Sequence, residues 1–269
     1  MISINTNYGS LFATKSAGAA QKTMNTAMER LSSGLRINNA KDDAAGQGIA
    51  TRLSAEIMGL EMASRNASDA QSMMDTAEAA YQEVHSMLIR MREIAVQAAN
   101  GTLSTADRTA LNAEVTALET EITSIADNTA FAGVNLGTST AVTFQIGTGN
   151  GDTISHTFKD FDNAAISVDV GVNTATNAGA AVSTLDAAIS LISTRRGELG
   201  ALSNRLSSTI ANLDNIAVNL SSARGRIQDT DFATETSNLA KSQIMQQAAT
   251  AMLAQANASK GSILTLIQS

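Results

Sequence analysis

From Leu60 to Ala98, every residue reached by alternating steps of 3 and 4 is apolar: Leu60, Ala63, Ala67, Ala70, Met74, Ala77, Tyr81, Val84, Leu88, Met91, Ala95 and Ala98. A seam held over about five heptads predicts one helix roughly 60 Å long, buried along a single stripe. A chain that contains it is committed to long helices packed side by side. Composition points the same way. The absence of Pro leaves helices uninterrupted. With 47 Ala and 11 Met against 6 Phe, 2 Tyr and no Trp, the interior must be thin, as where helices approach closely.

Asn100-Gly101 breaks the seam, and Leu111, Val115, Leu118, Ile122 and Ile125 predict a shorter helix folding back on the first. A third helical stretch runs from Leu185 to Ile227, with Arg196, Ser203 and Arg224 as polar exceptions on its seam. Between residues 130 and 175 the chain becomes rich in Gly, Thr, Asn and Val, and the period falls to 2 at Val142, Phe144, Ile146 and at Ile154, His156, Phe158. The intervening GTGNGD reads as a hairpin loop, because a phosphate-binding loop needs a helix after it and here a strand follows. The fold class expected is mainly α: a long helical coiled-coil bundle built from both chain ends, with a small central β-hairpin region.

The two ends are nearly uncharged. Residues 1–35 carry only Lys15, Lys22, Glu29 and Arg30, and residues 236–269 only Lys241 and Lys260. Each has a helical seam, with Met24, Met28, Leu31 and Leu35 in the first and Met245, Ala249, Met252, Ala256, Ser259, Ile263 and Leu266 in the last. A lone helix of this kind does not recover its backbone entropy, so each seam needs a partner, either in the bundle or in another copy.

Several chemistries are excluded. Zero Cys removes disulfides, thiolate metal sites and cysteine nucleophiles. His85 and His156 stand far apart in sequence, so no metal site and no cofactor is expected. A net charge of −7 and a pI near 4.8 oppose binding to a phosphate backbone. No apolar run approaches the roughly 20 residues of a membrane span, and MISINTNYGSLFATKS lacks the pattern of a cleaved secretory signal. Asp42-Asp43 raises the thought of paired catalytic carboxylates, but a helix cap and polar contacts explain the pair at less cost. No enzyme is expected, since neither histidine sits in a His-Glu-x-x-His context.

Four long segments resemble bacterial flagellin: LSSGLRINNAKDDAAGQGIA (31–50), RMREIAVQAANGT (90–102), STRRGELGALSNRL (193–206) and SSARGRIQDTDFATETSNLAKSQIMQQAATAMLAQAN (221–257). The resemblance implies a structural subunit that self-assembles into the extracellular flagellar filament for swimming. Residues 1–40 and 230–269 would be paired terminal helices of an inner tube. Residues 41–229 would form an outer-tube bundle including the hairpin region 130–175. Met24, Met28, Leu31, Leu35, Met245, Met252, Ile263 and Leu266 would form the assembly seam. Further implied partners are a flagellar export chaperone, a filament cap and hook-junction proteins, with type III export and no cleaved signal. An open filament needs two different complementary faces on each subunit.

A second stripe on the long helix carries Arg90, Ile94 and Gln97. Periodicity alone leaves Ile94 either packed on a neighbouring helix or presented to a partner. The resemblance implies that Arg90, Arg92, Glu93, Ile94 and Gln97, with Glu114 on the next helix, match the segment read by the flagellin-sensing Toll-like receptor of animal hosts. Ile94 stands where the family usually has Leu. The alternatives to a filament subunit are a hook-filament junction adaptor, which caps or joins instead of propagating, and a chemoreceptor-type coiled coil, opposed by the lack of membrane spans.

Overall fold

The computed structural model describes residues 6–268, with side chains through residue 262. In chain order the elements are α1 (Tyr8–Ser33), α2 (Ala44–Ala98), α3 (Thr105–Asn128), β1 (Ala130–Phe131), β2 (Val134–Asn135), β3 (Ala141–Gln145), β4 (Thr153–Thr157), α4 (Ala175–Gln228) and α5 (Phe232–Gln268). They are shared between two compact units, Glu56–Val218 and the combined ends Met1–Ala55 with Asn219–Ser269.

In the 56–218 unit all twelve seam positions of α2 are buried. Those from Ala67 onward form one core with Val115, Ile122 and Ala126 of α3 and with Leu185, Ala188, Ile192, Leu199 and Leu206 of α4. The turn from α2 to α3 is closed by Arg108, whose guanidinium donates to the carbonyls of Ala98, Asn100 and Leu103, each at 2.9 Å. Those carbonyls have no helical partner, so one side chain satisfies the end of α2. Ser104 and Asp107 then form a capping box that starts α3. On the polar positions of the α4 seam, Arg196 turns its guanidinium to Glu78 of α2, 2.7 Å away.

β3 and β4 pair antiparallel with Val142 opposite His156 and Phe144 opposite Ile154, which puts the two alternating runs on the same face. Asp152 closes their loop, accepting from the Gly149 amide at 2.8 Å. Two features were not anticipated. The short hairpin β1–β2 turns through Ala132 (φ 48) and Gly133 (φ 84), and α4 begins at Ala175, where the Thr174 hydroxyl accepts from the Asn177 amide. The segment beyond β4 buries Phe158, Phe161, Ile166, Val168 and Val172. Tyr81 anchors it, its ring 4.7 Å from that of Phe161 and its hydroxyl donating to the Lys159 carbonyl at 2.8 Å.

In the unit of the chain ends α1 and α5 run antiparallel, with polar contacts Asn7–Ala256, Gln21–Gln246 and Arg30–Glu235 marking the register. Ala13, Ala20 and Ala27 of α1 and Ala249 of α5 are buried. The helices approach closely enough that a Cβ on Gly9 would lie 3.3 Å from that of Ala256. The residues after α1 are tied to the end of α4: Leu35 bridges to Asp229, and the Arg36 amide donates to the Gln228 carbonyl at 2.7 Å. Arg224 of α4 also donates to Ser54 of α2. These ties lie within the compact unit that runs to residues 55 and 219.

Candidate assembly and recognition surfaces

The face that α1 and α5 turn to each other is made of small residues, which fixes where the larger ones go. Met24, Leu31 and Leu35 are half-buried along the pair, whereas Met28, Met245 and Met252 lie one step off it and remain about half exposed. Ile263 and Leu266 lie outside the residues whose side chains are described. Further apolar side chains that periodicity did not single out are also uncovered: Tyr8, Leu11, Phe12, Phe232 and Ile244. The available signal was the near absence of charge on every face of these segments, not a seam.

The connector uses both of its aspartates on its own backbone. Asp43 accepts from the Gly46 amide at 2.9 Å and caps α2. Asp42 accepts from the amides of Asn38 and Asn39, chiefly the latter, and these bonds hold its carboxyl below the usual range. Neither carboxylate is set up for acid-base chemistry.

On the other unit, Arg90 reaches from α2 to Glu114 on α3, with Nη2 2.8 Å from Oε1, and also to Glu93 at 3.1 Å. Glu114 first, then Glu93, raise the guanidinium above its ordinary pKa. Arg92 points to the opposite neighbour, paired with Asp186 of α4, which raises it likewise. Gln97 and Glu93 are exposed. Ile94 departs from the expected contact set: it is fully buried, packed in the core of its own unit. With a turn of 100° per residue, Ile94 sits between the α2 seam and the stripe of Arg90 and Gln97, and the neighbouring helices close over it. The apolar side chains presented beside Arg90 are Ile89 and Val96, both exposed.

Among the described residues no helix is long and apolar enough to cross a membrane.

Comparison with known proteins matches both halves of this architecture. The family model of the bacterial flagellin N-terminal helical region covers residues 4–139, and that of the bacterial flagellin C-terminal helical region covers residues 182–267. A flagellin of Halalkalibacterium halodurans is 42% identical, with 98% of this chain and 99% of that protein aligned. The flagellar filament 33 kDa core protein of Treponema phagedenis is 37% identical, over 98% and 99%. In the crystal structure of Bacillus cereus flagellin, 94% of that chain superposes on 60% of this one with a TM-score of 0.51 and 31% identity. Two helical regions flanking a short central segment, aligned from end to end with relatives of similar length, place this chain in the bacterial flagellin family, as a structural subunit of the flagellar filament.

Proposed function

We propose that the uncovered apolar side chains of α1 and α5 are the contact through which each subunit builds the inner tube of the filament, while the 56–218 unit forms the outer tube around it. The observation that carries this is the exposure of Tyr8, Leu11, Phe12, Phe232, Ile244, Met245 and Met252 on helices whose mutual face is already filled by alanines. An uncovered surface of this kind marks an interaction site. Before assembly the same surface needs protection, which suits an export chaperone on α5 and passage through the type III apparatus. Cap and hook-junction proteins would meet it at the two filament ends. The exposed Arg90, Glu93 and Gln97 with Glu114 form the surface offered to the host Toll-like receptor, Arg92 lying beside them.

The deciding experiment removes residues 245–269. The truncated chain should remain soluble and largely helical by circular dichroism, with the 56–218 core intact, yet fail to extend wild-type seeds. Filaments of normal length from it would overturn the proposal. Full-length chain that elongates seeds without any adaptor also separates a propagating subunit from a junction protein.

A further inference from the structure

The two compact units carry opposite charge. Residues 1–55 and 219–269 hold 10 Lys and Arg against 6 Asp and Glu, a net of +4, whereas residues 56–218 hold 8 against 19, a net of −11. The cations of the acidic unit are largely committed: Arg90, Arg92 and Arg196 to carboxylates, and Arg108 and Arg195 to backbone carbonyls. In the basic unit Arg30, Arg36 and Arg224 are engaged with Glu235, the Ile227 carbonyl and Ser54, but five others are not. Lys15, Lys22, Arg52, Arg226 and Lys241 are exposed and make no side-chain hydrogen bond or ion pair.

Along α3 the acidic unit has an open groove of about 510 Å³, lined by Thr116, Glu119, Thr120, Asp127, Asn128 and Asn163 among others. Most of its free groups are acceptors. Thr116 and Thr120 spend their hydroxyl protons on the carbonyls four residues back, at 3.0 and 2.8 Å. Asn128 spends its amide on the Ser124 carbonyl. Glu119 is 9% exposed and takes the Val170 amide on one oxygen at 2.9 Å. The Oδ1 of Asn163 is buried with no hydrogen-bond partner, an acceptor left without a donor. The two carboxylates, eight residues apart, lie about 12 Å from each other along the helix, too far to close on one metal ion.

We propose that this groove receives a lysine or arginine side chain from the basic end unit of a second copy of the chain as it joins the filament. Both side chains only donate, as the groove requires, and their heads keep the charge that the acidic unit lacks. A contact between unlike units is heterologous, so it propagates rather than closes. The inference rests on the reading of the chain as a self-assembling subunit, and it adds an electrostatic step to an apolar one: charge steers the incoming copy, and burial of α1 and α5 retains it.

The test is elongation of wild-type seeds by Glu119→Gln/Asp127→Asn subunits across a range of KCl. Both substitutions keep shape and remove charge. Wild-type elongation should slow as salt rises. The variant should elongate roughly tenfold more slowly at low salt, with a flattened salt dependence, while melting no lower than the wild type. The mirror variant Lys15→Gln/Lys22→Gln/Lys241→Gln tests the donor side and should slow elongation too. Equal rates and equal salt slopes for the groove variant and wild type would overturn the proposal. So would spermidine binding to the wild-type monomer but not to the variant while elongation stays the same, because the groove would then be a small-cation site. Failure of self-assembly itself would appear differently, as wild-type chain that never extends a seed.

Discussion

Arg30 of α1 and Glu235 of α5 face each other across the helix pair, Nη1 3.8 Å from Oε2, with the Glu235 side chain 9% exposed and the Arg30 Nε buried without a partner. In an interface whose buried apolar residues are alanines, a charged pair at one level penalises every other register, because sliding would leave Glu235 buried without a counter-charge. Glu235→Ala should weaken the pair by about 1–3 kcal/mol, less than for a fully buried ion pair because Arg30 is 30% exposed. Amide exchange in α1 and α5 should accelerate at least severalfold while that of α3 stays unchanged. Unaltered exchange in α1 would show that the alanines alone fix the register.

Arg90 and Ile94 are one turn apart and should respond in opposite ways. Arg90→Ala removes an exposed pair with Glu114 and should leave the melting temperature within about a degree, as is usual for surface pairs, while reducing receptor activation by monomers. Ile94→Ala opens a cavity in the core at a cost of about 2–5 kcal/mol, which in a unit of this size lowers Tm by on the order of 10 °C. A receptor-reporter assay beside thermal melts separates them. A stable Ile94→Ala protein with lost activation would restore Ile94 to the contact surface.

The fold was legible wherever one periodic stripe faces one neighbour. The α2 seam predicts its buried residues because, from Ala67 to Ala98, it shares one core with α3 and α4. Ile94 was ambiguous for a physical reason: a helix flanked on two sides buries more than one stripe, and periodicity ranks stripes without saying how many are covered. The terminal seam was legible as apolar. Alanines make the close contact between α1 and α5 and leave Met28, Met245 and Met252 about half exposed. Glu119 gave no signal in sequence, since an acid in mid-helix reads as surface until the irregular segment beyond β4 folds over it.

Burial raises the Glu119 carboxyl above its ordinary pKa, partly offset by the Val170 amide, with Asp169 adding a smaller push in the same direction as burial. The folded state therefore holds this proton more tightly than the unfolded chain. The resulting stabilisation is complete below the unfolded value near 4.5 and is lost as pH rises through the folded one. At pH 7 the ionised group costs stability. Glu119→Gln, which keeps an oxygen for the Val170 amide, should raise Tm by a few degrees at pH 7 and leave it unchanged near pH 4. A variant that melts lower at pH 7 would mean that the hydrogen bond to the charged oxygen outweighs desolvation.

Two glycines should answer the same substitution with opposite signs, and the space around each decides which. Gly137 follows β2 and lies against the end of α3, where an added Cβ would sit 2.0 Å from the Ala126 carbonyl oxygen and 2.6 Å from its carbon. Both obstacles are backbone, so no rotamer relieves the clash. The Gly137 carbonyl also accepts from the Phe161 amide at 3.3 Å, so moving it disturbs the segment anchored by Tyr81. Gly137→Ala should cost about 3 kcal/mol and lower Tm by roughly 5–10 °C. Gly197 lies on an exposed position of α4 with nothing within 4 Å of its added Cβ, so Gly197→Ala gains helix propensity and should stabilise by up to about 1 kcal/mol. Thermal melts of the two variants are sufficient. If both rise, the approach of β2 to α3 is looser than a backbone contact allows; if both fall, Gly197 has a contact in the folded chain that its open surroundings do not show.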